Sequence, residues 1–201
     1  AGRDAPLAAA PMPRWLLVTM VFLHVFANAM LAQAAPTAML KALGDNRVRT
    51  AYALGRLSSA AALLDIVVSP QLGRLSDTVG RRPLLILPPA IALLCRGTAA
   101  VRPSIGVIVA LRVLQSTLSS TYMVALRATV ADQFRDNADA LAERIGLMSA
   151  ATGVAYFIGM LAGGRLVAAG IQLPYLASAA LLGLLVPLVG VVHRETLPPS
   201  Q

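Results

Sequence analysis

Residues 73–83, which read GRLSDTVGRRP, separate two long apolar stretches and decide how the chain is organised. Gly73 allows a membrane helix to approach its neighbour closely, because glycine has no side chain. Gly80 permits a tight turn, since glycine adopts backbone conformations that other residues avoid. Asp77 places an anion at a crowded helix end, and the two arginines before the proline place cations at a membrane rim. The pattern predicts a short polar loop between two membrane helices.

The amino-acid composition indicates a lipid bilayer as the solvent for most of the chain. Of the 201 residues, 57% are apolar and 13% are charged, whereas a soluble domain carries about 25% charged residues. A soluble protein of this length also needs enough polar surface to cover its core, and this chain does not have it. Long apolar stretches with few charges are typical of proteins that span a membrane.

Six stretches are long enough to cross a hydrocarbon core, which takes about 20 helical residues. The first also resembles a secretory signal, but its apolar run of about 22 residues is long enough to be a retained helix. We therefore predict an all-α, polytopic membrane helix bundle over residues 1–201, with both ends cytoplasmic because arginines are more frequent on that side. The predicted spans are 15–36, 50–70, 83–101, 104–126, 145–169 and 174–192.

The positive charge of the chain does not indicate nucleic-acid binding. The formal net charge is +8, but the basic residues are scattered between apolar segments, and four Tyr, four Phe and one Trp offer little surface for base stacking. A single cysteine excludes an intrachain disulfide. The sequence contains no metal-ligand cluster, no phosphate-binding loop and no catalytic serine motif, so we expect neither a cofactor nor an enzyme.

The position of residues 73–83, between the second and third of six spans, strengthens their interpretation. In pattern and placement the segment resembles the signature loop of the major facilitator superfamily of transporters. The resemblance implies that this loop clamps an inner gate and loosens as two halves of the protein rock, and that a later Asp joins it in a charge relay. The residues carried over are Gly73, Arg74, Asp77, Gly80, Arg81, Arg82 and Asp132.

Two further motifs resemble the same family. Arg112 and Gln115 match its intramembrane Arg-x-x-Gln motif, and three glycines in the fifth span, Gly159, Gly163 and Gly164, resemble the glycine-rich motif of proton-driven drug antiporters. The resemblance implies the drug/proton antiporter or tetracycline-resistance-like branch, and glycines that serve helix packing. It also implies a fold of three plus three inverted helices that is the N-terminal half of a transporter.

The resemblance implies a function and its partners. We expect transport of a small-molecule substrate across a lipid bilayer by alternating access, coupled to an ion such as the proton. The alternative is a transporter-like membrane protein that acts as a receptor or assembly partner without transport. A C-terminal six-helix half, or an equivalent second subunit, is expected to complete the cavity. The chain would then be a fragment, an incomplete gene model or a half-size subunit.

Polar residues inside the spans identify a candidate translocation pathway. Arg112 and Asn28 both lie about 12 Å from the outer ends of their spans, at a rise of about 1.5 Å per residue. His24 lies one turn from Asn28 on the same helix face. An arginine at that depth requires water or polar partners, so we expect Arg112 to face a wet cavity with Asn28, His24 and Gln115. The competing interpretation is a structural arginine that binds helix carbonyls.

Asp65 is the remaining acidic residue inside a span. By the same rise it lies about 8 Å from the inner end of the second span, which favours Arg127 as its ion-pair partner over Arg112. Two roles remain open for Asp65, a proton-coupling carboxylate and one member of a structural ion pair.

Overall fold

A computed structural model describes residues 12–192, and of residues 69, 72, 73, 75–79, 191 and 192 it describes the backbone alone. Over this range the chain is helical, without a strand, which confirms the all-α prediction. The helices are α1 (Arg14–Ala29), α2 (Ala34–Ala42), α3 (Arg47–Val79), α4 (Arg81–Val101), α5 (Ile105–Gln133), α6 (Ala138–Ala169) and α7 (Leu173–Val192). Six segments of the described chain are long and apolar enough to span a membrane, with α1 and α2 forming one of them.

Short polar segments precede the long helices α3 and α6, and an asparagine in each segment caps the start of the helix. The side-chain oxygen of Asn46 accepts a hydrogen bond from the Arg49 N–H over 3.0 Å at the start of α3. Asn137 does the same for Ala140 at the start of α6, also at 3.0 Å. These bonds satisfy N–H groups that have no partner within their own helix, and so they fix where each helix begins.

The first span is not one continuous helix, so the predicted helix over 15–36 is wrong in its middle. The chain turns at residues 30–33, where the N–H groups of Leu31, Ala32 and Ala34 each bond to the carbonyl three residues earlier, at 3.0–3.2 Å. Such bonds wind the backbone more tightly than the four-residue spacing of an α-helix. The turn itself contains neither Gly nor Pro, but Pro36 follows it and has no N–H to donate to the carbonyl of Ala32.

The predicted loop over residues 73–82 is also wrong, because most of it is helical. α3 continues through Pro70 to Val79, and α4 begins at Arg81. Membrane helices tolerate an internal proline when neighbouring groups satisfy the freed carbonyl. Gly80 alone forms the connection, with φ 103° and ψ 163°. This left-handed φ is accessible to glycine at little cost, so the turn predicted at Gly80 is confirmed.

The helices pack around α1, which lies against α6 and α7, while α4 packs against α5 and α7. The main core joins α1, α5 and α7, and its fully buried side chains include Leu17, Val21, Tyr122, Leu126 and Leu185. α3 packs mainly against α5 and leaves large apolar side chains exposed on its other side. α3 and α5 therefore form an open edge of the bundle.

Candidate functional site

A polar cavity of about 490 Å³ lies between α3 and α5. Its wall combines one acidic and one basic residue with an amide, several hydroxyl groups and small apolar residues. The lining residues are Leu57, Ser58, Ala61, Ala62, Asp65, Arg112, Gln115, Ser116, Ser119, Ser120 and Met123. A cavity of this size, with a few convergent polar groups, is typical of a small-molecule site.

Asp65 is held in this cavity by two hydroxyl groups of α5. Ser116 donates a short hydrogen bond to one carboxylate oxygen, and Thr117 donates to the other over 2.9 Å. The structure does not form the ion pair predicted with Arg127, which is exposed. Arg127 lies eleven residues beyond Ser116, about 16 Å farther along α5. Asp65 lies instead level with Ser116 and Thr117 on α5.

Arg112 also lines the cavity and is half-buried. Its position is one turn of α5 before Ser116, so a cation and a carboxylate face the same space. Within residues 12–192, the described contacts of the Arg112 guanidinium include no hydrogen bond and no ion pair. The guanidinium is thus available to a ligand or to water in the cavity.

The polar partner of Asn28 is Arg96 and not the predicted Arg112. Arg96 is 3% exposed and donates from Nη2 to the Asn28 side-chain oxygen over 2.6 Å. It donates from Nη1 to the Ser178 hydroxyl, also over 2.6 Å. Ser178 in turn donates to the carbonyl of Ala27. Arg96 therefore links α4 to α1 and α7 inside the bundle, because it points inward from α4 and Arg112 points into the cavity.

His24 and Gln115 connect Asn28 to the cavity wall. His24 Nε2 lies 3.0 Å from the Ser119 hydroxyl and 3.2 Å from the Asn28 amide nitrogen. The His24 ring stacks on Tyr122 with centroids 4.1 Å apart. Gln115 donates to the backbone carbonyl of Asn28 over 3.4 Å. The structure thus brings three of the four predicted pathway residues together and places Arg112 beside Gln115 without a bond to the other two.

The inner ends of the helices carry the predicted relay in part. Arg81 Nε pairs with Asp132 Oδ2 over 3.1 Å, joining the start of α4 to the end of α5. Arg82 donates to the carbonyl of Gly190 near the end of α7 over 2.8 Å. Arg74 is exposed. The predicted contacts of Asp77 and the packing of Gly73 lie outside the described residues, and the gate role of all seven stays a prediction.

Two of the three predicted packing glycines lie at a tight contact between α6 and α1. A Cβ at Gly159 would lie 2.7 Å from the Ala29 Cβ, and one at Gly163 would overlap the backbone of Met30. Gly164 faces away from this contact, and a Cβ there would meet nothing within 4 Å. The glycines at 159 and 163 allow α6 to lie directly against the end of α1.

Sequence reasoning missed Arg96, which lies near the end of its predicted span. Thr117 and Ser178 were missed too, because single hydroxyl residues are common in membrane helices. The available signal was the arginine itself, since ionisable residues within membrane spans face the protein interior and are functional by default. The partners of Arg96 come from two other helices, and no spacing in the sequence reveals them.

Comparison with known proteins identifies the family. The model of the Major Facilitator Superfamily matches residues 17–201. The chain belongs to this superfamily. As a member of it, the chain is an integral, multi-pass membrane protein. The family assignment agrees with the resemblance of its loop and intramembrane motifs.

Curated proteins similar to the chain include resistance proteins. The chain is 38% identical over 130 residues to a class C tetracycline resistance protein of Escherichia coli, which covers 65% of the chain and 32% of that protein. It is 31% identical over 161 residues to a class G tetracycline resistance protein of Vibrio anguillarum, and this match covers 80% of the chain and 40% of that protein. It is 30% identical over 130 residues to multidrug resistance protein 2 of Bacillus subtilis, and this match covers 64% of the chain and 32% of that protein. The chain thus spans 32–40% of the length of these relatives.

Proposed function

We propose that the chain forms one half of a secondary active transporter that moves a small solute across the membrane by alternating access, coupled to protons. The observation that carries this proposal is the polar cavity between α3 and α5, in which Asp65 and Arg112 face the same space. Charged groups within membrane spans mark substrate or ion pathways. A carboxylate that can gain and lose a proton, beside a cation, is suited both to contact with a substrate and to coupling with an ion.

The hydrogen bonds of Asp65 fit a carboxyl group that gains and loses a proton. An ionised carboxylate only accepts hydrogen bonds, whereas a protonated one also donates. The hydroxyls of Ser116 and Thr117 now donate to both oxygens, and either hydroxyl can rotate to accept instead. Both protonation states of Asp65 therefore find partners without movement of the helices.

The cavity requires a second wall, which we propose is a further six-helix half or an equivalent second subunit. The cavity lies at the open edge of the bundle, and the outer face of α3 exposes Leu63, Ile66 and Val67 at 60–69%. Transporters of this kind bind their substrate between two such halves. The remaining apolar surface of the helices faces lipid.

The substrate we propose is a drug-like compound exported from the cell, because the similar curated proteins are named for tetracycline or multidrug resistance.

Tetracycline is the first probe. Inverted membrane vesicles from bacteria that express the gene for this chain should accumulate tetracycline when a proton gradient is applied. Loss of uptake on addition of an uncoupler would support proton coupling, and uptake that survives the uncoupler would contradict it.

Asp65→Asn is expected to reduce gradient-driven uptake at least tenfold while tetracycline exchange across the membrane persists. The amide oxygen accepts from one hydroxyl and the amide NH2 donates to the other, but the amide binds no proton. Both activities are measured in the same vesicles with labelled drug. Asp139→Asn is the matched control, since Asp139 is exposed in the first turn of α6. Normal gradient-driven uptake by the Asp65 variant would rule out this carboxylate as the coupling group.

The inner-gate role of residues 73–82 and Asp132 is part of the proposal. Asp77→Asn is expected to abolish or strongly reduce transport with nearly normal expression. Asp132→Asn, which removes the charge that pairs with Arg81, is expected to reduce it as well. Transport rates and membrane levels are measured together in vesicles. Unchanged transport in both variants would contradict the gate assignment.

A further inference from the structure

Arg96 lies outside the lining of this cavity and has no role in the transport proposed above. It is buried between α1, α4 and α7, and its described partners, Asn28 and Ser178, are both neutral. A buried guanidinium without a carboxylate is costly in a membrane protein. Its hydrogen bonds extend through Asn28 and His24 to Ser119 at the cavity wall.

The guanidinium fixes the orientation of the Asn28 amide. Arginine carries donors and no acceptor, so the Asn28 atom that lies 2.6 Å from Nη2 must be the oxygen. The Asn28 nitrogen then points to His24, 2.7 Å from its backbone oxygen and 3.2 Å from Nε2. One Asn28 hydrogen is taken by the His24 backbone oxygen, and Nε2 can accept the other only when it carries no proton.

A nitrogen that accepts a hydrogen bond carries no proton. With the Asn28 bond formed, the ring is therefore neutral and bears its proton on Nδ1. Nδ1 is buried without a hydrogen-bond partner in either tautomer. Only the partners of Nε2 therefore distinguish the two tautomers. In that form the Ser119 hydroxyl, 3.0 Å from Nε2, donates to the single lone pair that the Asn28 amide also approaches. Ser119 makes no other described side-chain hydrogen bond, and its lone pairs remain for the cavity that it lines.

We propose that Arg96 is a positioning residue, which acts through Asn28 to hold His24 in its Nδ1–H form and Ser119 as a hydrogen-bond acceptor towards the cavity. The cavity at this point therefore selects a solute group that donates a hydrogen bond, such as a hydroxyl, amide or ammonium group. This selectivity rests on the transport function proposed above, whereas the state of His24 does not.

The state of His24 is measured by nitrogen NMR of the chain in lipid nanodiscs with ¹⁵N-labelled histidine. The chain has two histidines, and His193→Gln assigns the signals. An unprotonated ring nitrogen resonates far downfield of a protonated one, and Nε2 is recognised because it couples to both ring C–H groups. We expect the downfield signal of His24 on Nε2. A downfield signal on Nδ1, or two protonated nitrogens at neutral pH, would overturn the proposal.

Asn28→Asp tests the mechanism with an isosteric side chain that keeps its bond to Arg96. The aspartate has no donor, so Nε2 is expected to gain the proton and donate to it, which moves the downfield signal from Nε2 to Nδ1. Arg96→Lys retains a donor-only cation and is expected to keep the Nδ1–H form, whereas Arg96→Met releases the amide and gives a mixture. An unchanged tautomer in the Asp variant would show that Asn28 does not set it.

The selectivity is tested by Ser119→Ala, which leaves the Asn28 amide in place. The variant is expected to keep the Nδ1–H form and to weaken tetracycline uptake about tenfold, the loss of one hydrogen bond. Ser149→Ala is the control, because Ser149 is exposed on α6, lies outside the cavity lining and donates to the carbonyl of Ile145. Equal uptake by the Ser119 variant and wild type would overturn the acceptor role. Absence of uptake by wild type, with the Nδ1–H form present, would instead contradict the proposed transport of tetracycline.

Discussion

Arg112→Ala is expected to reduce transport by about tenfold to a hundredfold while the protein remains in the membrane at normal levels. Arg112 is half-buried in the cavity wall and contributes to none of the described hydrogen bonds or ion pairs. Its removal therefore takes little from the packing of the bundle. Loss of a hydrogen bond to a charged group costs about 1.5–3 kcal/mol, which corresponds to the expected decrease. Vesicle uptake is normalised to the amount of folded protein.

Arg112→Lys separates the roles of charge and geometry at this position. Lysine keeps the positive charge but loses the planar set of donors that can hold several partners at once, so transport should already be impaired. Arg127→Ala is the control on the same helix, because Arg127 is exposed near the inner end of α5. A structural arginine would give the opposite result, with loss of expression in the alanine variant and rescue by lysine.

The same variants distinguish a transporter from a receptor or assembly partner built on this scaffold. A receptor has no need of a cation in the cavity for turnover. Its assembly, measured by co-purification of its partner, would be unchanged by substitution of Arg112 or Asp77. A transporter would lose uptake in both variants.

The helices could be predicted from the sequence because a bilayer requires long apolar stretches with internally satisfied backbones. Gly80 could also be predicted, since its left-handed φ requires glycine. The break at residues 30–33 was missed although Pro36 removes the N–H that would bond to the carbonyl of Ala32, and the close approach of Gly163 to Met30 at the same turn could not be predicted. The extension of α3 past Pro70 was also missed, because a proline favours a helix end at the residue before it.

The candidate site could be predicted in composition but not in its pairing. Intramembrane Arg112, Gln115, Asn28 and Asp65 were recognisable from the cost of polar groups in a bilayer. Their partners depend on which face each helix turns inward, which a single sequence does not show. Arg96 illustrates this, because two neighbouring helices supply the Asn28 and Ser178 groups that satisfy it.

Gly163→Ala is expected to destabilise the protein by about 1–3 kcal/mol, the usual cost of overpacking a close contact. A methyl group at residue 163 would overlap the carbonyl oxygen of Met30 and lie 2.8 Å from its carbonyl carbon and Cα. These are backbone atoms of the turn at residues 30–33, so they cannot rotate away as a side chain could. Thermal unfolding in detergent, followed by intrinsic fluorescence or dye binding to Cys95, measures the change.

Gly164→Ala is the control that separates the contact from the general effect of alanine in a helix. Its Cβ would meet nothing within 4 Å, and alanine favours a helix over glycine by about 1 kcal/mol. The midpoint temperature should therefore stay the same or rise for this variant and fall for its neighbour. Equal midpoints for the two variants would contradict the close approach of α6 to the end of α1. Opposite shifts at adjacent residues can arise only from the side of α6 on which each glycine lies, because both substitutions add the same methyl group to the same helix.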